Sequence, residues 1–498
     1  MNGGRLVVVS NRLPLSATEQ NGVITLCPSG GGLVTALAPV LQANGGCWIG
    51  WTGWDSDANL ARAFKQCAGP HYSFEPVSLS TAEKTSYYQG CCNQIIWPLF
   101  HALPSRCDFD PAFWKSYCAV NEKFADAVEQ VWRGNDFVWI HDYHLMLLAD
   151  CLQARGLRYR TGYFHHIPFP HPDILEKLPW RGKLLRSMLQ FNSIGFQTVR
   201  DRRNFIASVR QFLPNVHVRA LGGKVLVSHE SRSAMVGSYP ISIDFGDFAS
   251  AAAKIAAVTG AAKIRHDLNE TRIILGIDRL DYTKGILERL KSFETLIATR
   301  ANLRGRVSML QVVVPSREEI GEYQQLKFAI EKRISDINGR YATPGWVPIH
   351  YLYRNLNRSE VIAFYRAADI ALVTPLKDGM NLVAKEFCAC RVDETGVLIL
   401  SKFAGAAVEL GCGALIVNPY DNGRVAAALH LALGMDEREQ QTRMRMMRDS
   451  ICAHDVFLWA TSFCAQAIPL KRVARSAGIP VVCSPGPAAD SRAAAIAG

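Results

Sequence analysis

Ile273-Ile274-Leu275-Gly276-Ile277-Asp278-Arg279-Leu280-Asp281-Tyr282-Thr283-Lys284-Gly285 decides how the chain is read. An apolar run without alternation ends in a charged turn, and an amphipathic stretch over residues 284–300 follows. A strand apolar on both faces belongs inside a sheet covered by helices on both sides, as in parallel sheets. The same strand, turn and helix order recurs downstream, with strands expected at 309–314, 348–353, 370–374, 397–401 and 415–418 and helices at 317–337 and 358–367. Upstream, an earlier series of short apolar runs occupies 6–10, 47–51, 95–98, 137–141, 162–167 and 194–197. Two successive series predict an α/β protein of two doubly wound, Rossmann-like sheets.

A chain of 498 residues is too long for one core, so two such domains are expected. The division predicted is 1–244 for the first domain, 245–454 for the second, 455–470 for a closing helix and 471–498 for a disordered tail rich in Ala, Pro, Ser and Gly. The small-residue stretch 250–262 is expected to form the first helix past the boundary. Ligands of open α/β sheets bind at the carboxyl ends of strands, which places the site in a cleft between the domains.

The formal net charge of +11 suits an anionic partner. Nucleic acid, a membrane surface and phosphorylated metabolites all qualify. Basic residues are scattered, with the densest run only at 471–475, which argues against a dedicated nucleic-acid face. Excess Lys and Arg spread over two α/β domains is the plain alternative. No apolar run approaches the ~20 residues of a membrane span, and the N-terminus leads directly into a strand rather than a signal peptide. The 14 cysteines include no CxxC pair. Adjacent Cys91 and Cys92 cannot bridge without strain, and Cys388 and Cys390 lack zinc-type spacing. Reduced thiols and a cytoplasmic protein are expected, compatible with a homo-oligomer.

Several stretches carry chemistry at predicted strand ends. Ser29-Gly30-Gly31-Gly32 precedes a helix, and its amides can approach a phosphate, although such a run also serves as a plain tight turn. Arg279 and Lys284 converge where a strand meets a helix and can neutralise a departing diphosphate, or else pair with Asp281 as a surface salt bridge. In the run from Thr374 to Glu386 a glycine turn leads into a helix starting near Met380. Its amides can hold phosphate or sugar oxygens, and Glu386 can accept from ribose hydroxyls, or else is an ordinary acidic residue on a helix surface. Asp142 and His166 lie at carboxyl ends in the first series, suited to sugar hydroxyls and to a reacting sugar. The paired histidines raise the question of a metal, but no Asp-x-Asp or spaced His/Glu set supports one.

Ser10-Asn11-Arg12, Gly31-Gly32, Tyr87-Tyr88 with Trp97-Pro98, Trp139 to His144, His166 to Pro170, Arg279 to Gly285 and Asp378 to Glu386 together resemble the trehalose-6-phosphate synthases. Their order and spacing match over roughly residues 5 to 467. The resemblance implies a GT-B fold with a C-terminal helix, near 455–467, crossing back to the first domain. It implies donor contacts at Gly31, Gly32, His166, Arg279, Lys284, Asp378, Gly379, Met380, Asn381, Leu382, Val383, Ala384, Lys385 and Glu386. It implies acceptor contacts at Arg12, Tyr88, Trp97, Asp142 and Arg317, with Arg12, Tyr88 and Arg317 on the 6-phosphate. His166, Arg279, Lys284 and Asp378 would form the catalytic set.

The activity so implied is retaining transfer of glucose from UDP-glucose to glucose 6-phosphate, giving α,α-trehalose 6-phosphate and UDP, with no metal or other cofactor. No carboxylate is placed by the sequence as a double-displacement nucleophile, which favours a front-face mechanism. A glycerol 3-phosphate acceptor and a catalytically silent sugar-phosphate sensor are the alternatives, and the donor base stays open between uracil and guanine. Departures from the family pattern fall at Gln89-Gly90-Cys91-Cys92, His165, His171, Ser242 and Leu356. The first two are expected near the site.

Overall fold

A computed structural model of the protein describes residues 4–20, 23–28, 32–55, 72–156 and 159–465. The expectations for Gly31 and for the tail 471–498 lie outside those residues.

Nine strands form the first sheet, in the order Tyr72–Leu79, Gly46–Asp55, Leu6–Arg12, Phe137–His141, Arg160–His165, Ser193–Phe196, Arg232–Ser238, Lys224–His229 and Val216–Leu221. All pairings from Tyr72–Leu79 through Arg232–Ser238 are parallel. The chain begins in the middle, steps outward to Tyr72–Leu79, then returns to the other side through Phe137–His141. Its order therefore reverses between Leu6–Arg12 and Phe137–His141, and Arg12 and Asp142 stand at that crevice.

The second sheet has six strands, ordered Ile349–Tyr353, Val307–Val314, Arg272–Arg279, Ile370–Val373, Val397–Ser401 and Leu415–Val417, all parallel. Here the reversal lies between Arg272–Arg279 and Ile370–Val373. The segments following these two strands are Leu280 to Gly285 and Thr374 to Asn381, the runs singled out in the sequence. Val7, Val8, Val9, Ile273 and Ile274 are wholly buried, as strands covered on both faces must be.

The run 95–98 is a correction: it is helical, not a strand. Ser80 and Glu83 form a capping box that starts a helix at Thr81–Glu83. A wide-turned helix continues over Lys84–Ile96, closed by the Trp97 amide donating to Cys92 five residues back, and Trp97–Phe100 completes it. Four apolar residues look alike in a buried strand and a buried helix, and here Tyr87, Cys91, Ile95 and Leu99 face one core at helical spacing. The edge strand Tyr72–Leu79, the hairpin Leu15–Gln20 with Val23–Pro28, and the antiparallel extension over Val216–Leu221 and Lys224–His229 were not legible. Tyr72–Leu79, Val216–Leu221 and Lys224–His229 are largely half-exposed or exposed, so they lack the buried apolar signature, and Leu15–Gln20 is mostly polar in sequence.

Some helix bounds also shift. The helix expected at 317–337 is Gly321–Tyr341, because Arg317 adopts φ 52 and breaks the run. The stretch 250–262 is divided between Phe245–Ala252 and Ile255–Asp267. The helix expected from Met380 begins at Leu382, capped by Asn381.

The last described helix, Val456–Cys464, is capped by Asp455, whose carboxylate accepts from the Phe457 and Leu458 amides. It packs against the first sheet: Trp459 and Phe463 lie 5.0 and 5.1 Å from the Trp139 ring. Gly162 and Gly195 make room, since a Cβ on either would come within 2.8 Å of the Phe463 ring. No described helix is long and apolar enough to cross a membrane.

Candidate active site

Lys284 and Asp378 meet across the reversal of the second sheet, Nζ to Oδ2 at 2.6 Å. Asn381 also donates to that carboxylate at 3.2 Å while its own Oδ1 caps the helix Leu382–Cys390 through the Ala384 amide. Burial pushes the Asp378 carboxyl up, but Lys284 outweighs it and leaves the group below its ordinary range. Arg279 ends its strand exposed, with no ion-pair partner among the described residues. The expected alternative, a surface salt bridge of Arg279 and Lys284 with Asp281, does not form. Asp281 instead turns inward, accepts from the Thr283 amide and hydroxyl, and pairs with Arg317 at 3.3 Å.

Arg317 reaches from the second sheet to the first. Its guanidinium lies 4.3 Å from the centre of the Trp97 ring and donates to the hydroxyls of Tyr143 and Tyr323. On the opposite wall, Ser10 fixes the Arg12 turn by donating to the Arg12 carbonyl and accepting from the Trp48 indole. Arg12 then lies over Trp51, Trp51 meets Tyr88 edge-on, and Tyr88 stacks on His144. His144 meets Tyr143, and Tyr143 meets Trp97, so an aromatic chain links four of the five expected acceptor residues: Arg12, Tyr88, Trp97 and Arg317.

Asp142 is the fifth, and its backbone is strained. Its φ of 71 and ψ of 171 fall in a region used almost only by glycine. The carboxylate accepts from the His166 amide at 3.1 Å. Burial pushes its carboxyl up to about 6, against opposing hydrogen bonds from the amides of Tyr143, His166 and Ile167.

Both ring nitrogens of His166 are engaged within the protein. Nε2 lies 3.1 Å from His141 Nδ1, and Gln197 Nε2 donates to Nδ1 at 3.2 Å. Burial pushes the ring down to about 3, so it is neutral at ordinary pH. The His166 carbonyl abuts Gly379, where a Cβ would come within 2.0 Å of it. That contact joins the two sheets' loops directly, and only glycine fits.

The rest of the expected donor run divides. Gly32 begins the helix Gly32–Asn44. Met380 is buried, and its carbonyl accepts from Ala406. Leu382 and Val383 are half-exposed, and Ala384 is buried beneath them. Lys385 points away, wholly buried, with Nζ on Glu409 at 2.6 Å and on the Ile241 carbonyl at 3.0 Å. Glu386 is half-exposed and accepts from the Tyr365 hydroxyl with one oxygen, leaving the other uncommitted.

Several residues escaped the sequence reading. Arg289 is fully buried, pairs with Asp278 at 2.6 Å, and donates to Thr374 and to the Lys284 carbonyl. It braces both site loops from beneath, and an arginine one turn into an apolar helix was the only available signal. Trp51 and Tyr323 escaped the reading because aromatic residues read first as core, and Tyr143 and His144, inside the run Trp139 to His144, carried no assigned role. Of the departures, Cys91, Cys92 and His165 are wholly buried and shape the packing behind the site rather than its surface. Among the described residues no group of three or more His, Cys, Asp or Glu side chains is arranged to hold a metal.

Two facing doubly wound sheets, each with its reversal point open to one cleft, define a glycosyltransferase of the GT-B fold. The chain belongs to glycosyltransferase family 20, whose model matches residues 4–468. It is 40% identical over 466 residues to the trehalose-6-phosphate synthase of Mycobacterium marinum, covering 92% of each chain. It is also 40% identical over 484 residues to the bifunctional trehalose-6-phosphate synthase/phosphatase of Thermoproteus tenax, covering 94% of this chain but 64% of that one. The chain thus spans less than two thirds of the latter's length. The structure resembles an α,α-trehalose-phosphate synthase (UDP-forming) from Burkholderia xenovorans in complex with glucose-6-phosphate. The TM-score is 0.85 at 33% identity, with 93% of this chain and 100% of that one covered.

Proposed function

We propose that this glycosyltransferase transfers glucose from UDP-glucose to glucose 6-phosphate with retention, releasing UDP and α,α-trehalose 6-phosphate. The observation that carries this reading is two unlike cationic sets in one cleft, one of them completed across it by Arg12 of the first sheet and Arg317 of the second. Arg279 and Lys284 stand at the reversal point of the second sheet, beside a helix N-terminus that suits a diphosphate. Arg12 and Arg317 stand among Trp51, Tyr88 and Trp97, a setting suited to a phosphorylated hexose.

In this mechanism the nucleoside diphosphate departs as Arg279 and Lys284 take up its charge. The acceptor hydroxyl attacks the anomeric carbon from the same face and passes its proton to the leaving phosphate oxygen. Asp378 holds donor hydroxyls. His166, its ring committed to His141 and Gln197, lends the reacting sugar its carbonyl and ring edge. Asp142 receives acceptor hydroxyls, and Glu386 receives those of the ribose. The protein supplies the cations, so no divalent metal is required. The reading includes domains at 1–244 and 245–454 with a helix at 455–470 closing on the first, and a cytoplasmic location.

Product NMR after mixing enzyme, UDP-glucose and glucose 6-phosphate with chelator present tests this. A symmetric α,α-1,1 anomeric signature with UDP release is expected. Product only with glycerol 3-phosphate, or only after divalent metal is added, would correct the acceptor or the metal independence respectively.

A further inference from the structure

His101 lies one turn beyond Trp97 and has no part in the site as described. It is 5% exposed, and its Nδ1 is 2.7 Å from the Trp97 carbonyl. A carbonyl only accepts, so Nδ1 carries the proton and Nε2 is the bare nitrogen of the neutral ring. Nε2 has no partner among the described residues, yet it is not among the sealed polar atoms left without one. A hydrogen-bond acceptor of fixed tautomer thus opens onto free space.

The groups around the ring are those of the cleft. The His101 ring centre is 4.2 Å from that of Trp97, and the Arg317 guanidinium is 4.3 Å from the same indole. His101 also lies within electrostatic reach of Asp281, Asp378 and Lys284. Burial drives the ring down to about 4, which keeps Nε2 bare at neutral pH.

We propose that His101 is a further donor-contacting residue, its Nε2 accepting a hydrogen bond from a hydroxyl of the glucose carried by the sugar nucleotide. This rests on the donor reading above. Asp378 would orient one part of that sugar and His101 another, from the opposite wall of the cleft, so that closure brings both to bear.

Calorimetric titration of UDP-glucose and of UDP into wild type, His101→Asn and His101→Gln tests the assignment. Asparagine keeps the tie to the Trp97 carbonyl but removes the group at Nε2, whereas glutamine restores an acceptor there. His101→Asn is expected to weaken UDP-glucose roughly 3- to 10-fold, the worth of one neutral hydrogen bond, and to leave UDP unchanged. His101→Gln should recover most of the loss. Unchanged UDP-glucose affinity in His101→Asn, or equal weakening of UDP and UDP-glucose, would overturn the contact. Wild-type protein binding neither ligand would overturn the sugar-nucleotide reading itself, and this contact with it.

Discussion

The ammonium of Lys284 lies 2.6 Å from a carboxylate oxygen of Asp378, tying together the two loops that flank the reversal point of the second sheet. Nearby Arg279 is exposed and unpaired among the described residues, so two cations at one site play different structural parts. Arg279→Ala removes only a charge aimed at the cleft. Its kcat should fall on the order of 10²–10³, as for loss of one preorganised electrostatic contact, with the melting temperature unchanged. Lys284→Ala should lose a similar factor and also melt lower, because Asp378 is left buried without its cation. Steady-state rates and melting curves on the two variants separate these outcomes. Equal melting temperatures would show that the Lys284–Asp378 pair carries no structural load.

Much of this candidate site was legible because chemistry at strand ends is local in sequence. The strand into Arg279, and that into Asp378, each run straight into the candidate residues. Buried parallel strands announce themselves by apolar runs, and the doubly wound order then fixes where the cleft lies. What stayed hidden depends on contacts distant in sequence. Arg317 could be named from the sequence, but not its seat between Trp97, Tyr143 and Asp281, which needs both sheets in place. Arg289 was missed because its one local sign, an arginine early in an apolar helix, does not by itself separate a buried brace from a solvated helix residue. The run 95–98 was misread because its helix rests on a capping box fifteen residues upstream.

Arg317 bridges the two walls and neutralises buried Asp281. Arg317→Lys keeps the charge but cannot lie flat on the indole and donate in three directions. The acceptor KM is expected to rise on the order of 10-fold for lysine and more for alanine, while UDP affinity is retained. Alanine should also cost ~3–5 kcal/mol of stability, since it strands the Asp281 carboxylate. Denaturant melts beside kinetics at fixed UDP-glucose check both. A parallel loss of UDP affinity would place Arg317 in the donor subsite.

Asp142 makes the pH dependence. Its folded value of about 6 lies above the ordinary 3.8 because burial penalises the charge. The folded state therefore holds this proton more tightly than the unfolded chain does. The stabilising contribution is full below the unfolded value near 4 and is lost as pH rises through 6. Asp142→Asn should melt higher than wild type above pH 6, and the advantage should vanish below about pH 4. If the ionised form receives the acceptor hydroxyl, wild-type kcat/KM for the acceptor falls as pH drops through 6. That acid limb should be absent from the residual activity of Asp142→Asn. A limb retained in the variant would assign it to another group.

Lys385 and Glu386 are adjacent in sequence, yet the helix turns them to different surroundings. The Lys385 ammonium is wholly buried between Glu409 and the Ile241 carbonyl, so its side chain holds the strand-to-helix linker against the second sheet. Glu386 keeps one oxygen on Tyr365 and one uncommitted, on the half-exposed side. Lys385→Met should cost ~3–5 kcal/mol, because Glu409 is mostly buried and loses its partner. The pair Lys385→Met with Glu409→Leu should regain much of that, since removing both charges removes the desolvation cost as well. In folded protein neither variant should shift the UDP-glucose KM beyond about twofold. Glu386→Gln should do the reverse, raising the donor KM several-fold through a lost charge-assisted hydrogen bond while leaving the melt near wild type. Urea melts paired with donor titrations resolve the two patterns. A donor KM that moves with Lys385→Met and stays moved when Glu409→Leu restores stability would bring the Lys385 ammonium back into the donor site.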